Sequence, residues 1–331
     1  MNHIVLYIDL SKAEWREKPT PPTCRYKYEC PPTAERNEIY MLSALCVREP
    51  RRRWLSLRRR PPAVYSELVS AGSGKFLKIT AEVGRNGNLN WADIRHAAGR
   101  ESSRLLLPQV VTPPQNSRIT AFQGVELSRR LMSSAAVKLL KIVAVNPRLV
   151  KVTVYDPQAV MPDLPLMFLP FAADVGVITR RPERYEVQCY TAMQQYGAVL
   201  SVSMDLAVMD GSLLLLAPDE PEDSCRELKQ MISRHGWVLT ARSPKSQSEQ
   251  FDKHIDYKGV IHGYIPRVSN CILDAKPPGC DAAQFLAGLF ELSSVREIAS
   301  KPPEFLQTGG HIIALKDAAW RLAGLDIGIP V

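Results

Sequence analysis

The sequence predicts an α/β protein: a mainly parallel sheet domain preceded by a smaller mixed α/β region. Three observations carry that prediction. Between about 150 and 242, short aliphatic runs alternate with amphipathic stretches. Proline opens and glycine closes two of those stretches, Pro182 with Gly197 and Pro221 with Gly236. The aliphatic runs are continuous rather than alternating, as in strands covered on both faces.

Each element of this segment has a local reason. A strand is expected at 151–155, ending at Asp156, and a helix then leads to a second strand at 174–179. Pro182 starts the next helix. Tyr185, Cys189, Ala192, Met193 and Tyr196 recur there at helical spacing, which predicts an inward face. Strands at 198–203 and 213–217 follow. A helix from Pro221 turns Cys225, Leu228 and Ile232 inward, and a strand is expected at 237–240. Strands and helices in this rhythm make a Rossmann-like domain.

The flanking regions are read the same way. A strand is expected at 4–10, a Pro-rich loop at 18–32 and a helix at 34–47 capped by Thr33. A strand is expected at 76–83, a turn at 84–88 and a helix at 91–106 capped by Asn90. A long helix is expected at 120–142. Toward the C-terminus a strand is expected at 259–265, with helices near 282–292 and 316–323. Prolines between 108 and 114 suggest a boundary. The organisation expected is an N-terminal mixed domain over 1–115 with a basic Pro-flanked insertion at 48–62, and a Rossmann-like domain over 116–331.

Composition bounds the class. The chain has 331 residues, 45% apolar and 23% charged, values of an ordinary globular protein. Its formal net charge is +8, and the excess lies in residues 1–120, with 20 Lys+Arg against 11 Asp+Glu. Seven cysteines at irregular spacing fit a reducing compartment better than a disulfide framework; Cys24 and Cys30, flanked by prolines, are the pair a bridge would use. No basic leader precedes the apolar run at 3–9. The stretch 159–178 is interrupted by Asp163, Asp174 and three prolines, which argues against a bilayer span. A cytoplasmic location is expected.

Ligands of parallel α/β sheets bind beyond the carboxyl ends of the strands. The candidate mouth is therefore Asp156, Thr179, Arg180, Arg181, Asp205 and Asp219. The order and spacing around these residues resemble the Rossmann-type domain of dehydrogenases such as shikimate dehydrogenase. The resemblance implies NADP as cofactor, with Arg180 and Arg181 where basic residues meet the 2′-phosphate. The first turn departs from that pattern. It reads Asp-Pro-Gln-Ala-Val-Met-Pro over 156–162, with no glycine, two residues lacking an N–H, and a carboxylate where a diphosphate would lie. A degenerate domain without tight dinucleotide binding is expected, and no resident cofactor.

Three other features have duller readings. Ser70 to Lys75 imitates a phosphate loop but fails its spacing, so a turn before a strand is expected. Asp252, His254 and Asp256, with His262, offer metal-ligating groups, yet they follow a loop-like stretch, and no metal site is expected. Seven arginines occupy thirteen positions from 48 to 60. Arg51, Arg52, Arg53, Arg58, Arg59 and Arg60 surround Trp54 and could meet a polyanion or an acidic protein; a solvated insertion is the plainer reading. The leading expectation is a protein that uses its degenerate domain for binding or interaction. An NADP-dependent oxidoreductase and a nucleic-acid-associated protein are the alternatives, and a homo-oligomer is compatible with each.

Overall fold

The computed structural model describes residues 41–49, 63–84, 87–143, 150–205, 212–218, 237–241, 260–308 and 311–322. All belong to one compact unit, Tyr40–Val331. The strand expected at 4–10, the helix from Pro221, Cys24, Cys30 and Asp252 to Asp256 lie outside the described residues.

The first sheet holds four strands. They are β1 (Ser43–Arg48), β2 (Val64–Ala71), β3 (Gly74–Glu82) and β4 (Leu105–Leu106), in the order β2-β3-β1-β4. β1 runs parallel to β3 and β4, and β2 antiparallel to β3. The helix expected through 47 is thus strand β1 from Ser43 onward. Its residues Ser43 to Cys46 are all buried: the run has neighbours on both faces, and burial overrode a weak helical periodicity. Gly72 and Ser73 form the two-residue turn of the β2–β3 hairpin, and Gly72 takes φ +60, the left-handed value such turns require. The turn expected before a strand at 70–75 is this hairpin.

Helix α1 (Trp91–Ala98) is capped as expected, Asn90 Oδ1 accepting the N–H of Asp93. It ends earlier than expected, because Gly99 at φ +60 redirects the chain into a 3₁₀ turn and then β4. Helix α2 (Glu126–Val143) starts six residues later than expected. Leu127, Leu131, Met132, Ala135, Ala136, Leu139 and Leu140 are buried along it, making it a central strut of the main core.

The second sheet has six strands, all parallel: β5 (Lys151–Tyr155), β6 (Asp174–Ile178), β7 (Leu200–Ser203), β8 (Leu214–Ala217), β9 (Trp237–Thr240) and β10 (Val260–Ile261). Their order is β10-β9-β8-β5-β6-β7. Counted within the sheet this is 3-2-1-4-5-6 from the β7 edge, the doubly wound Rossmann order, with its switch point between β5 and β8. Every residue of β8 and β9 is buried, as the continuous apolar runs predicted.

The first crossover corrects an expectation. Between β5 and β6 the chain makes a single 3₁₀ segment, Leu164–Phe168, instead of an α-helix. Pro162, Pro165 and Pro170 account for it, since each removes a donor and blocks the preceding turn. The second crossover is helical but irregular: a 3₁₀ start at Pro182–Tyr185, α3 (Glu186–Thr191), then a π-turn at Ala192–Tyr196 that ends at Gly197, φ +61. Tyr185 and Ala192 are buried as expected. Met193 and Tyr196 are exposed, because the wider π-turn rotates them off the inward face.

A third sheet, antiparallel, contains β11 (Gly263–Pro266), β12 (Pro303–Thr308) and β13 (His311–Ala314). Around it lie α4 (Asn270–Asp274), α5 (Ala282–Glu291) and α6 (Leu315–Leu322). The helices expected near 282–292 and 316–323 are α5 and α6, and both pack on α2.

Candidate functional site

The mouth of the parallel sheet lies at the carboxyl ends of β5, β6 and β8. Asp156 follows β5 and is wholly buried. Its carboxylate is fully engaged by its own chain. Oδ1 accepts the N–H of Val160 at 2.9 Å, and Oδ2 accepts the N–H of Met161, also at 2.9 Å. Oδ2 further accepts the Tyr185 hydroxyl at 2.9 Å. Ala159 stands at φ +53, a conformation glycine would adopt more cheaply; it closes a turn in which its N–H donates to the Asp156 carbonyl.

This arrangement is an anion cradle already occupied. In a dinucleotide-binding domain, backbone amides at this turn meet the diphosphate, aided by the helix that follows. Here two amides point at a carboxylate from the same turn, and the element that follows is 3₁₀. Tyr185 is buried beside the charge. Burial, reinforced by the Asp156 carboxylate, pushes its phenol far above the ordinary tyrosine range, so it remains a neutral donor.

The other expected mouth residues are arranged less tightly. Thr179 is buried and its hydroxyl oxygen accepts the N–H of Arg181 at 3.1 Å. That bond and the donation of Arg180 N–H to the Pro157 carbonyl fix the path after β6. The side chains of Arg180 and Arg181 are exposed at this rim. Asp205 is exposed beyond β7, its N–H held by the Ser203 hydroxyl. After β8, the Pro218 carbonyl accepts Arg129 Nε at 3.0 Å, tying α2 to the mouth. The structure thus brings Asp156, Thr179, Arg180 and Arg181 to one rim. Asp219 lies outside the described residues, as do Arg51, Arg52, Arg53, Trp54, Arg58, Arg59 and Arg60.

Sequence reasoning placed the carboxylate but missed its partners. Tyr185 read as an inward helical residue, and nothing local revealed that its hydroxyl reaches back 29 positions to Asp156. Among the described residues no group of three His, Cys, Asp or Glu side chains could hold a metal ion, and no helix is long and apolar enough to cross a membrane. His262 is mostly buried between β10 and β11. Desolvation lowers its pKa, partly opposed by the charge of Asp281. Asp281 itself caps α5 and accepts the side-chain amides of Gln109 and Gln307 at 3.1 and 2.8 Å.

No protein-family model matches the chain, and no curated protein matches it. Among solved structures, the chain is similar to L-tryptophan dehydrogenase from Nostoc punctiforme, at 15% identity over 75% of each chain and a TM-score of 0.31. The Rossmann-like assignment rests on the order and parallel pairing of the six strands.

Proposed function

We propose that this chain uses a degenerate Rossmann-like domain for binding and interaction, without dinucleotide-linked redox chemistry of its own. The observation that carries this reading is the Asp156 carboxylate on the amides of Val160 and Met161. A diphosphate entering there would meet like charge and would have to displace a bonded, buried group. Without a helix in the first crossover there is no macrodipole to offset that cost.

The interaction half of the reading rests on the β7 edge. Among the described residues β7 pairs with β6 alone, and the helix beside it turns apolar side chains to solvent. Val187 is 70% exposed, Tyr190 63% and Met193 56%, and they follow one another at three-residue spacing. Tyr196 and Val199 continue the line toward the strand. Together they expose on the order of 600 Å², approaching the ~800 Å² each partner contributes to a standard interface. The occupant we assign is a second copy of this chain, since an open edge strand is self-complementary across a two-fold axis.

The rival reading, an NADP-linked oxidoreductase, draws on the exposed Arg180 and Arg181 at the end of β6. Titration calorimetry of the full chain with NAD and NADP separates the two. No saturable binding that depends on Arg180 is expected with either. Micromolar binding of NADP, lost on Arg180→Ala, would overturn the proposal in favour of the rival.

A further inference from the structure

A cavity of about 500 Å³ opens where the start of α2, the end of α5 and the 3₁₀ turn after α1 converge. Arg104, Arg130 and Arg296 line it, each from a different element. Arg130 and Arg296 hold their guanidinium groups over the ring of buried Phe290, at 5.3 and 5.4 Å from its centre. Stacking of this kind restrains long side chains that would otherwise sweep solvent, and it leaves the N–H forks free to donate.

The carboxylates that share the cavity are already engaged. Glu126 pairs with Arg130 Nε at 3.1 Å. Glu291 accepts the N–H of Leu127 at 3.1 Å, which uses the start of α2. Arg104 and Arg296 have no carboxylate partner among the described residues. Three guanidinium groups thus face two carboxylates, Glu126 and Glu291, which leaves one positive charge in excess in a concave site, with Ser103 and Gln123 as neutral polar groups and Phe122 and Leu292 as an apolar wall. The volume falls within the ~300–1,000 Å³ typical of metabolite pockets.

We infer that this cavity binds a small organic oxyanion, a phosphate ester or a polycarboxylate, through the guanidinium groups of Arg104 and Arg296 with Arg130 as a third cation. Guanidinium forks match both oxyanions bidentately. The site is separate from the sheet mouth, and Arg180 does not line it, so loss of binding on Arg180→Ala reports the mouth and loss on the cavity arginines reports this site.

The test is calorimetry of the full chain with pyrophosphate and, in a second arm, with citrate. Saturable binding of at least one is expected, and the tighter arm identifies the headgroup. Arg104→Ala with Arg296→Ala should weaken it by about tenfold or more, as expected when charge-assisted bonds are lost. Arg95→Ala, an exposed arginine on α1, should leave it unchanged. All three lining arginines are exposed, so the variants should fold, which circular dichroism checks; Arg104→Gln alone provides a milder second variant and should weaken binding measurably. Absence of saturable binding in both arms would overturn the inference. So would undiminished binding in the arginine variants, or an equal loss in Arg95→Ala, which would mark diffuse surface charge.

Discussion

Two backbone amides and a phenol converge on Asp156, and that convergence explains how a carboxylate can be buried at the end of a strand. A buried charge is costly unless its lone pairs are taken up, and three charge-assisted donors do that here. His262 shows the opposite case, a titratable group whose neutral form is favoured by desolvation. Its folded-state pKa is lowered from the ordinary value of 6.5. The unfolded chain therefore binds the proton more readily. The stability contribution is full above about pH 6.5 and is lost as pH falls through the folded-state value. Urea unfolding at about pH 7.5 and about pH 5.5 checks this. The wild-type midpoint should drop more between these conditions than that of His262→Gln, which cannot titrate. Parallel drops would show that His262 is not the group responsible.

At the scale of elements, the approach of the segment leading into α2 to α5 is a tight constraint. Gly124 donates its N–H to Gln284 Oε1 at 2.8 Å, and a Cβ at Gly124 would collide with the Cβ of Ala287. Neither methyl can swing aside, because both are fixed to backbone. Gly124→Ala should therefore destabilise the fold by about 1–3 kcal/mol, the usual cost of overpacking, read as a lower denaturant midpoint with unchanged slope. Gly87→Ala is the comparison: Gly87 carries a left-handed φ of +74 that Gly124 lacks, and nothing lies within 4 Å of its Cβ, so it reads backbone strain without overpacking. If Gly124→Ala costs no more than that, α2 and α5 can separate freely and the close approach is unimportant.

At the scale of the whole molecule, α2 is the shared structural element. It packs on α5, α6, β9 and β11, and Arg129 fastens it to the sheet mouth through Pro218. Of the two edge strands of the parallel sheet, β7 is the one flanked, among the described residues, by exposed apolar side chains. Light scattering after size exclusion should give twice the chain mass of 37.0 kDa. Tyr190→Glu combined with Val187→Glu should return the protein to a monomer with unchanged circular dichroism, since both side chains point to solvent. A wild-type monomer, or a dimer that survives both charges, would remove this face as the interaction surface.

The parallel sheet was legible in the sequence because its determinants are local. Continuous aliphatic runs, Pro182 before a helix and Gly197 after it each act within a few residues, and five of the six strands were located from them. The sequence also put a prolyl turn and a carboxylate where a glycine loop would stand. Only tertiary structure decided what Asp156 does there, because its partners come from both its own turn and the helix after the next strand. Packing likewise made Ser43–Arg48 a strand, buried from Ser43 to Cys46, where the isolated segment reads as a helix. The cavity at Arg104, Arg130 and Arg296 has no sequence signature at all: its three cations lie 26 and 166 residues apart along the chain, and only the tertiary fold brings Arg130 and Arg296 over one ring with Arg104 lining the same cavity.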